Sequence, residues 1–384
     1  MKKVRVGVIG CGMISEMYLK NMTGMFGSVL HVQACADLSD EAAAKRADQF
    51  GIKVMTVRNL IDDPEIEIVV NLTIPSAHYE ISKAALLTGK HVYSEKPLAE
   101  TMEQGHDLVR LAKEKKLLLA AAPDTFLGAG FRTCREIIDS GEIGEPVGAF
   151  GFMLARGPES FHPNPAFFYQ PGGGPLLDMG PYYFTALTSL LGEAKRVTGI
   201  SKCQTPTRTV QNQNSPHYNT EFPCEADSFS AALVEFGNGV IANVTTTWDL
   251  SFPYWESGMP LLLIHGSKGA LTLPDPNMFG GIAPSPFGAE PGKFVLLRKG
   301  TEQAVEVPVK EEFRQNSRGL GPADLALSLR IGEKPSVTGE MSLHVLEIML
   351  GALQSSQTNQ TYKLQTSCER PKTLSSALVD IGRK

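Results

Sequence analysis

The chain has 384 residues, of which 42% are hydrophobic and 20% charged, with a formal net charge of -5. This composition is typical of a globular protein of two domains, because a single core rarely grows this large. Basic residues are not clustered and no apolar run is long enough to cross a bilayer, so neither nucleic acid nor membrane is expected as a partner.

The cysteines are scattered and contain no C-x-x-C pair. That pattern is typical of free thiols in a reducing compartment and offers no zinc spacing, so no metal is predicted. No secretory segment precedes the first predicted strand, Val4–Ile9, and a cytoplasmic location is expected.

A glycine-rich turn follows this strand directly. The run Gly10-Cys11-Gly12-Met13-Ile14-Ser15 has the pattern G-x-G-x-x-G with serine in the third glycine position, and a helical pattern comes next. Gly10 permits the tight turn, Gly12 lets a pyrophosphate approach the backbone, and the helix N-terminus supplies N–H groups. The strand–turn–helix context predicts a dinucleotide site.

Asp37 comes directly after the second predicted strand, Leu30–Ala36. An acidic residue at this distance from the glycines accepts hydrogen bonds from the adenosine ribose, and its charge repels a 2′-phosphate. We therefore predict NAD rather than NADP. The alternative is that Asp37 caps the following helix, although Ser39 and Asp40 can do so equally well.

Strand and helix patterns alternate through the first third of the chain. Further strands are predicted at 51–55, 66–73, near 92–94 and at 117–122, with helices at 77–88 and from 101 onwards. This spacing predicts a doubly wound parallel sheet. Pro123 is predicted to mark the boundary between domains 1–122 and 123–384.

The triplet Glu95-Lys96-Pro97 follows the fifth predicted strand. That strand should stop near Ser94, because Pro97 cannot donate to a ladder and holds Lys96 in an extended conformation. Lys96 then lies at the carboxyl end of a parallel strand, the edge that faces the ligand crevice in open α/β sheets. The alternative is an ordinary surface lysine in a βα loop.

Together with the block Gly172–Tyr182, these motifs give the sequence a family resemblance. The chain resembles the glucose–fructose oxidoreductase, inositol dehydrogenase and rhizopine-catabolism (Gfo/Idh/MocA) family. The family has a glycine run, an aspartate and usually a histidine four residues later; here Asp178 is followed by Tyr182. Glucose–fructose oxidoreductase and dihydrodiol dehydrogenase look similar in carrying tyrosine, so the departure puts only the proton-transfer residue in question.

The resemblance implies a Rossmann domain, an NAD site and a carbohydrate or polyol substrate. We predict catalytic roles for Lys96, Asp178 and Tyr182. The predicted cofactor contacts are Gly10, Gly12, Met13, Ile14, Asp37, Thr73, Pro75, His78, Glu95 and Lys96. The predicted substrate contacts are Lys96, His162, Asp178 and Tyr182.

The second part of the chain predicts an α+β domain with an open, mostly antiparallel sheet. Strand patterns lie at 147–155, 197–201, 229–236, 240–248, 261–266 and 270–273, helices at 131–140 and 342–353, and a long loop at 274–292. In the family such a sheet often forms subunit contacts, which implies a homodimer or homotetramer.

Aromatic residues are concentrated in the segment from Phe161 to Tyr169, just before the glycine run. Their faces suit the C–H surface of a sugar, and His162 and Asn164 have groups that bond hydroxyls. The alternative is that these rings form core of the smaller domain. Trp248 and Trp255 carry the same two interpretations.

Asp178 and Tyr182 are four residues apart in a predicted helix. Pro181 is tolerated only in a first turn, which predicts a helix start near Asp178. Residues at this spacing share a face, so both can project into a cleft together. The alternatives are an N-cap role for Asp178 and a packed core ring for Tyr182.

The predicted reaction is hydride transfer between NAD and a secondary hydroxyl of a sugar, glycoside or cyclitol. A base must take the hydroxyl proton, and a free lysine at about 10.4 or tyrosine at about 10 must have its pKa lowered to do so. Either Lys96 or Tyr182 takes this role. The alternatives are a glycosidase or lyase that uses bound NAD in a redox-neutral cycle, and a non-catalytic NAD-binding regulator.

Overall fold

The computed structural model describes residues 2–251, 261–273, 275–280, 295–298 and 304–383. Trp255 and most of the predicted loop 274–292 lie outside them. Among the described residues, no helix has both the length and the apolar character of a membrane span. The chain divides into two compact units. The first contains residues 1–129, 311–346 and 371–384, and the second contains 130–310 and 347–370.

The first unit is built on a six-stranded parallel sheet with strand order β3-β2-β1-β4-β5-β6. The order reverses direction between β1 and β4, which is the doubly wound arrangement. The strands are β1 Val4–Ile9, β2 Leu30–Ala36, β3 Lys53–Val54, β4 Ile68–Asn71, β5 His91–Ser94 and β6 Leu119–Ala121. The helices are α1 Ser15–Thr23, α2 Asp40–Phe50, α3 Val57–Asp62, α4 Pro75–Leu87 and α5 Met102–Lys115.

The predicted parallel sheet is confirmed, with three strands shorter than expected. The third and sixth strands are three residues shorter than predicted, and the fourth is four residues shorter. The predicted stop near Ser94 is confirmed, since β5 ends there.

The second unit contains an open sheet that is mostly antiparallel, as predicted. Its strand order is β16-β15-β14-β13-β7-β12-β11-β8-β17 among the described residues, and only β12 and β7 pair in parallel. The strands are β7 Pro146–Leu154, β8 Ala194–Lys202, β9 Thr207–Thr209, β10 Glu221–Pro223, β11 Phe229–Phe236, β12 Ile241–Thr247, β13 Leu262–Gly266, β14 Gly269–Leu273, β15 Val295–Arg298, β16 Val305–Glu306 and β17 Tyr362–Lys363. Strands β9 and β10 form a separate ladder.

One face of this large sheet is covered by helices of the same unit. Helix α7 Pro175–Leu191 packs on β7, β11 and β12, and α6 Ala129–Asp139 is joined to α7 by a hydrogen bond from Arg135 to the Ser189 carbonyl at 3.2 Å. A Cβ added to Gly151 on β7 would lie 2.9 Å from the Tyr183 ring on α7. On the opposite face, Phe150, Leu233 and Ile241 are 40%, 51% and 55% exposed. The sheet therefore has one packed face and one open face.

The last part of the chain contributes α8 Leu320–Ile331, α9 Gly339–Thr358 and α10 Ser376–Gly382. Residues 311–346 belong to the first compact unit, although they lie far beyond Pro123 in the chain. The physical reason lies in buried contacts: Leu343 joins the apolar cluster of Leu108 and Leu119. Asp124 also accepts hydrogen bonds from the Gly319 and Gly321 N–H groups, both at 3.0 Å.

Candidate active site

The glycine-rich turn has the geometry that a dinucleotide phosphate needs. Gly10 has a φ of +101°, and an added Cβ would lie 2.5 Å from the Leu72 carbonyl. A Cβ added at Gly12 would meet no atom within 4 Å. Only glycine therefore fits at Gly10, and the space beside Gly12 is open for a ligand to approach the backbone.

The start of α1 presents backbone donors to that space. The N–H groups of Gly12, Met13 and Ile14 have no acceptor among the described residues, as is usual ahead of a first helical turn. Unpaired N–H groups and the positive end of the helix suit a pyrophosphate. The residues present therefore fit the phosphate part of NAD or NADP.

Ser15, at the third glycine position of the motif, stabilises the turn by hydrogen bonds. Ser15 is fully buried, and its hydroxyl donates to the Gly12 carbonyl at 2.6 Å. Arg46 on α2 donates from Nε to the same hydroxyl at 3.1 Å. This role of Arg46 could not be predicted from a local pattern, because Arg46 and Ser15 are 31 positions apart.

Asp37 uses both carboxylate oxygens to shape the turn. Oδ2 accepts from the Cys11 N–H at 2.6 Å and Oδ1 from the Ser39 N–H at 2.9 Å. Ser39 caps α2 by accepting from the Ala42 N–H at 3.2 Å, so the alternative helix-cap role for Asp37 is excluded. A carboxylate has about four acceptor positions, which leaves two for ribose hydroxyls.

The turn after β4 is held by Asn71, which the sequence did not single out. Its side chain accepts from the Thr73 hydroxyl at 2.6 Å and donates to Ser82 Oγ at 3.1 Å. Pro75 is the first residue of α4, and Ile74 before it is 63% exposed. Thr73 and Pro75 thus lie at the carboxyl edge of the sheet, and their predicted contacts with the cofactor stay predictions.

His78 is fully buried, and both ring nitrogens face carbonyl oxygens. Nδ1 lies 2.7 Å from the Pro97 oxygen and Nε2 lies 3.0 Å from the Thr73 oxygen. Burial lowers the pKa of this imidazole. A neutral imidazole donates from one nitrogen only, so one of these two carbonyls accepts a hydrogen bond from His78 and the other is a close neighbour. The predicted contact of His78 with the cofactor stays a prediction.

Lys96 is half-buried on a backbone that is fixed from several directions. The Glu95 N–H donates to the Asn71 carbonyl at 2.7 Å, and the Lys96 N–H donates to Glu95 Oε2 at 3.0 Å. The Tyr18 hydroxyl donates to Glu95 Oε1 at 2.8 Å. The helix that follows the glycine turn is therefore bonded directly to the residue beside Lys96, a contact that sequence reasoning missed.

In the second unit, α7 begins earlier than predicted. It starts at Pro175 after Gly174, whose φ is +90°, and Pro181 lies inside the helix. The prediction of a start near Asp178 was wrong because Pro175 already provides the first-turn proline. Gly174 is the N-cap, so the alternative N-cap role for Asp178 is excluded.

Asp178 and Tyr182 lie four residues apart on this continuous helix and share a face. Tyr182 is 8% exposed. Asp178 and Met179 are the only residues of α7 that are not buried. Asp178 is thus a half-buried carboxylate in the first turn of a largely apolar helix, where the positive end of the helix favours its charge.

The aromatic residues from Phe161 to Tyr169 do not all have one role: some lie in the core of the second unit and others are exposed. Tyr169 and Trp248 are buried, with ring centroids 5.3 Å apart, and belong to the core of the second unit. Phe161 and Phe167 are 63% and 43% exposed. His162 lies between, half-buried, with its ring 5.4 Å from that of Phe167.

Across the described residues, no three His, Cys, Asp or Glu side chains form a group that would hold a metal. The expectation of a metal-free protein stays a prediction.

Comparison with known proteins agrees with this geometry. Residues 4–122 match the model of an oxidoreductase family with an NAD-binding Rossmann fold, and residues 131–272 match the Gfo/Idh/MocA C-terminal domain. The chain belongs to the Gfo/Idh/MocA family of oxidoreductases. The predicted family and fold class are confirmed, and the protein is an NAD(P)-dependent oxidoreductase.

Individual relatives are distant. The chain is 27% identical to the D-xylose dehydrogenase of Paenarthrobacter nicotinovorans over 50% of each protein, so it spans half the length of that relative. It is 24% identical to the scyllo-inositol 2-dehydrogenase (NADP(+)) of Bacillus subtilis over 94% of this chain and 96% of the relative. A levoglucosan dehydrogenase solved with NADH has a TM-score of 0.78 at 19% identity, covering 95% of this chain and all of the other, which establishes the shared fold.

Proposed function

We propose that this protein catalyses NAD-dependent oxidation and reduction at a secondary hydroxyl of a sugar, glycoside or cyclitol. The observation that carries the proposal is the bonded path from the nucleotide turn to Lys96. Tyr18, on the helix that follows the turn, holds Glu95, and Glu95 holds the Lys96 backbone. A surface lysine in a βα loop has no need of this support. The names of the relatives, which include sugar and inositol dehydrogenases, support the substrate class.

The chain supplies the proton chemistry. NAD bound at the glycine turn and Asp37 would supply the hydride chemistry. Lys96 takes the hydroxyl proton, or stays charged and stabilises an ionised Tyr182 that takes it. Asp178 binds the substrate hydroxyl as an acceptor and fixes its orientation. Held donors and acceptors of this kind accelerate reactions because they need no reorganisation when charge develops.

NAD rather than NADP is the proposed cofactor. Asp37 places a negative charge beside the nucleotide turn, bonded to the Cys11 N–H. A 2′-phosphate near that carboxylate would be repelled. One relative uses NADP, so the preference needs its own test.

A panel of sugars and polyols with NAD, followed at the NADH absorbance, tests the reaction. Lys96→Met should retain NADH binding while turnover falls by orders of magnitude, and Lys113→Met, an exposed lysine on α5, should change neither. Near-normal turnover in Lys96→Met would remove this residue from the mechanism. Product formed without stoichiometric NADH would instead indicate a redox-neutral glycosidase or lyase.

We also propose a homodimer or homotetramer that uses the open face of the large sheet. Leu233 and Phe150 lie on either side of Asn243 in the strand register, so these two exposed apolar side chains share one face of the sheet with an amide between them. Ile200, 74% exposed on β8, extends this surface. Exposed apolar surfaces of this kind mark interaction sites. Leu233→Asp should convert the assembly to monomers in sedimentation experiments; an unchanged molecular weight would refute this interface.

A further inference from the structure

The second unit carries an aromatic platform that consists of His162, Phe167 and Phe168, and Phe161 precedes it directly in the chain. The Phe167 and Phe168 rings lie 4.0 Å apart at 31°, and the His162 ring meets both edge-on at 5.4 and 5.3 Å. Phe161 and Phe167 remain 63% and 43% exposed. Rings that pack on one another and still present area to solvent are typical of ligand surfaces.

A buried polar network fixes this platform from below. The Tyr169 hydroxyl donates to Glu159, and Arg208 donates to Glu159 at 3.2 Å and to the Trp248 carbonyl at 3.0 Å. Glu159 and Arg208 are 5% and 6% exposed. Burying such charges is costly unless they are paired. The exposed rings therefore stand on a rigid base and are not simply part of a poorly packed loop.

Hydrogen bonds hold the edges of the platform as well. Asn212 donates from Nδ2 to the Phe161 carbonyl at 2.6 Å, and the Ser215 hydroxyl donates to the Pro163 carbonyl. The Asn164 N–H donates to His162 Nδ1 at 3.0 Å. An acceptor at Nδ1 puts the proton of the neutral ring on Nε2. Burial lowers the pKa of His162, so the ring is neutral at pH 7 and offers one N–H to a hydroxyl.

The platform is bonded to the start of α7. The Gly174 N–H donates to the Phe168 carbonyl at 2.8 Å, and the Asp178 N–H donates to the Gly174 carbonyl at 3.0 Å. Gly174 and Asp178 are separated by about one helical turn. The platform is therefore joined through Gly174 to the first turn of the helix that carries Asp178.

We infer that this platform binds a second ring, attached through a glycosidic bond to the sugar that Asp178 holds, and that the preferred substrate is a glycoside rather than a free monosaccharide. The inference rests on the proposed function. Phe167 and Phe161 cover the apolar face of the second ring, and His162 Nε2 donates to an oxygen at its edge. The residues act through affinity and selectivity and move no proton.

The test compares methyl and phenyl β-glycosides of glucose, galactose and xylose. Their affinities are measured by calorimetry with NADH bound, which permits no oxidation. Wild type should bind at least one phenyl glycoside about 3- to 10-fold more tightly than its methyl partner, as expected of ring stacking. Phe167→Ala should abolish this ratio and Phe167→Tyr should restore it. Leu87→Ala, which changes an apolar side chain 53% exposed on α4, should leave it intact.

The outcomes separate this inference from the proposed function. Turnover of a monosaccharide with no phenyl preference overturns the platform and leaves the dehydrogenase standing. A phenyl preference that depends on Phe167, with no NADH formed from NAD and any glycoside, supports the platform and removes the dehydrogenase. No measurable binding of any of the six glycosides overturns the platform.

Discussion

The substitution Asp37→Asn distinguishes two proposed roles of the Asp37 carboxylate. One role is to hold the nucleotide turn by hydrogen bonds, and the other is to repel the 2′-phosphate of NADPH. In the wild type, Oδ2 accepts from the Cys11 N–H at 2.6 Å and Oδ1 from the Ser39 N–H at 2.9 Å. Asparagine keeps one acceptor oxygen, presents an NH₂ group to the other donor and loses the charge. Hydrogen bonds to a charged group contribute about 1.5–3 kcal/mol, so NADH affinity should fall roughly 10- to 150-fold.

The ratio of the Kd for NADPH to the Kd for NADH shows whether the weaker binding comes from a loosened turn or from the lost charge. A loosened turn weakens both cofactors equally and leaves the ratio unchanged. Loss of the negative charge relieves repulsion only for the 2′-phosphate of NADPH, so the ratio should fall by at least about tenfold. Calorimetric titration with each reduced cofactor measures both constants.

Ser39→Ala is the matched control. It removes the cap bond from the Ala42 N–H, at a cost of about 1 kcal/mol to the helix, and leaves the charge in place. Its NADPH to NADH ratio should equal that of the wild type. An unchanged ratio in Asp37→Asn, or an equal change in Ser39→Ala, would refute the role of Asp37 in cofactor choice.

Three further predictions concern the first unit. Gly10→Ala should abolish NADH binding in calorimetry, because the new Cβ would lie 2.5 Å from the Leu72 carbonyl at a φ of +101°; retained affinity would contradict this. Tyr18→Phe loses the 2.8 Å hydrogen bond to Glu95, so it should lower the free energy of unfolding in urea by about 1.5–3 kcal/mol and reduce kcat. An unaltered kcat would show that this bond to Glu95 does not contribute to catalysis. Burial raises the pKa of Asp124 to about 6 from 3.8, so its stabilising contribution is present at low pH and is lost as the pH rises through 6. From pH 5 to 7.5 the free energy of unfolding of the wild type in urea should therefore fall by about 1 kcal/mol relative to that of Asp124→Asn. A difference between the two proteins that does not change with pH would show that Asp124 does not titrate in this range.

Features that depend on near neighbours could be read from the sequence. The strand–turn–helix motif around Gly10 and the shared helical face of Asp178 and Tyr182 are set by local periodicity and turn chemistry. The helix start was missed because two prolines, Pro175 and Pro181, compete for the first-turn position, and only the φ of +90° at Gly174 decides between them.

Contacts between distant positions could not be predicted. Tyr18 and Glu95 are 77 residues apart, and no local pattern pairs them. The same holds for Asp124 and Gly319, whose hydrogen bond joins the start of α8 to the rest of the first unit. The sequence by itself determined the family, through its motifs, and the parallel sheet, because local backbone preference and hydrophobic period specify strands and helices. The catalytic roles of Lys96, Asp178 and Tyr182 stay predictions. Only the tertiary structure decided what supports Lys96 and which aromatic rings stay exposed, because burial and long-range hydrogen bonds exist only once the chain is packed.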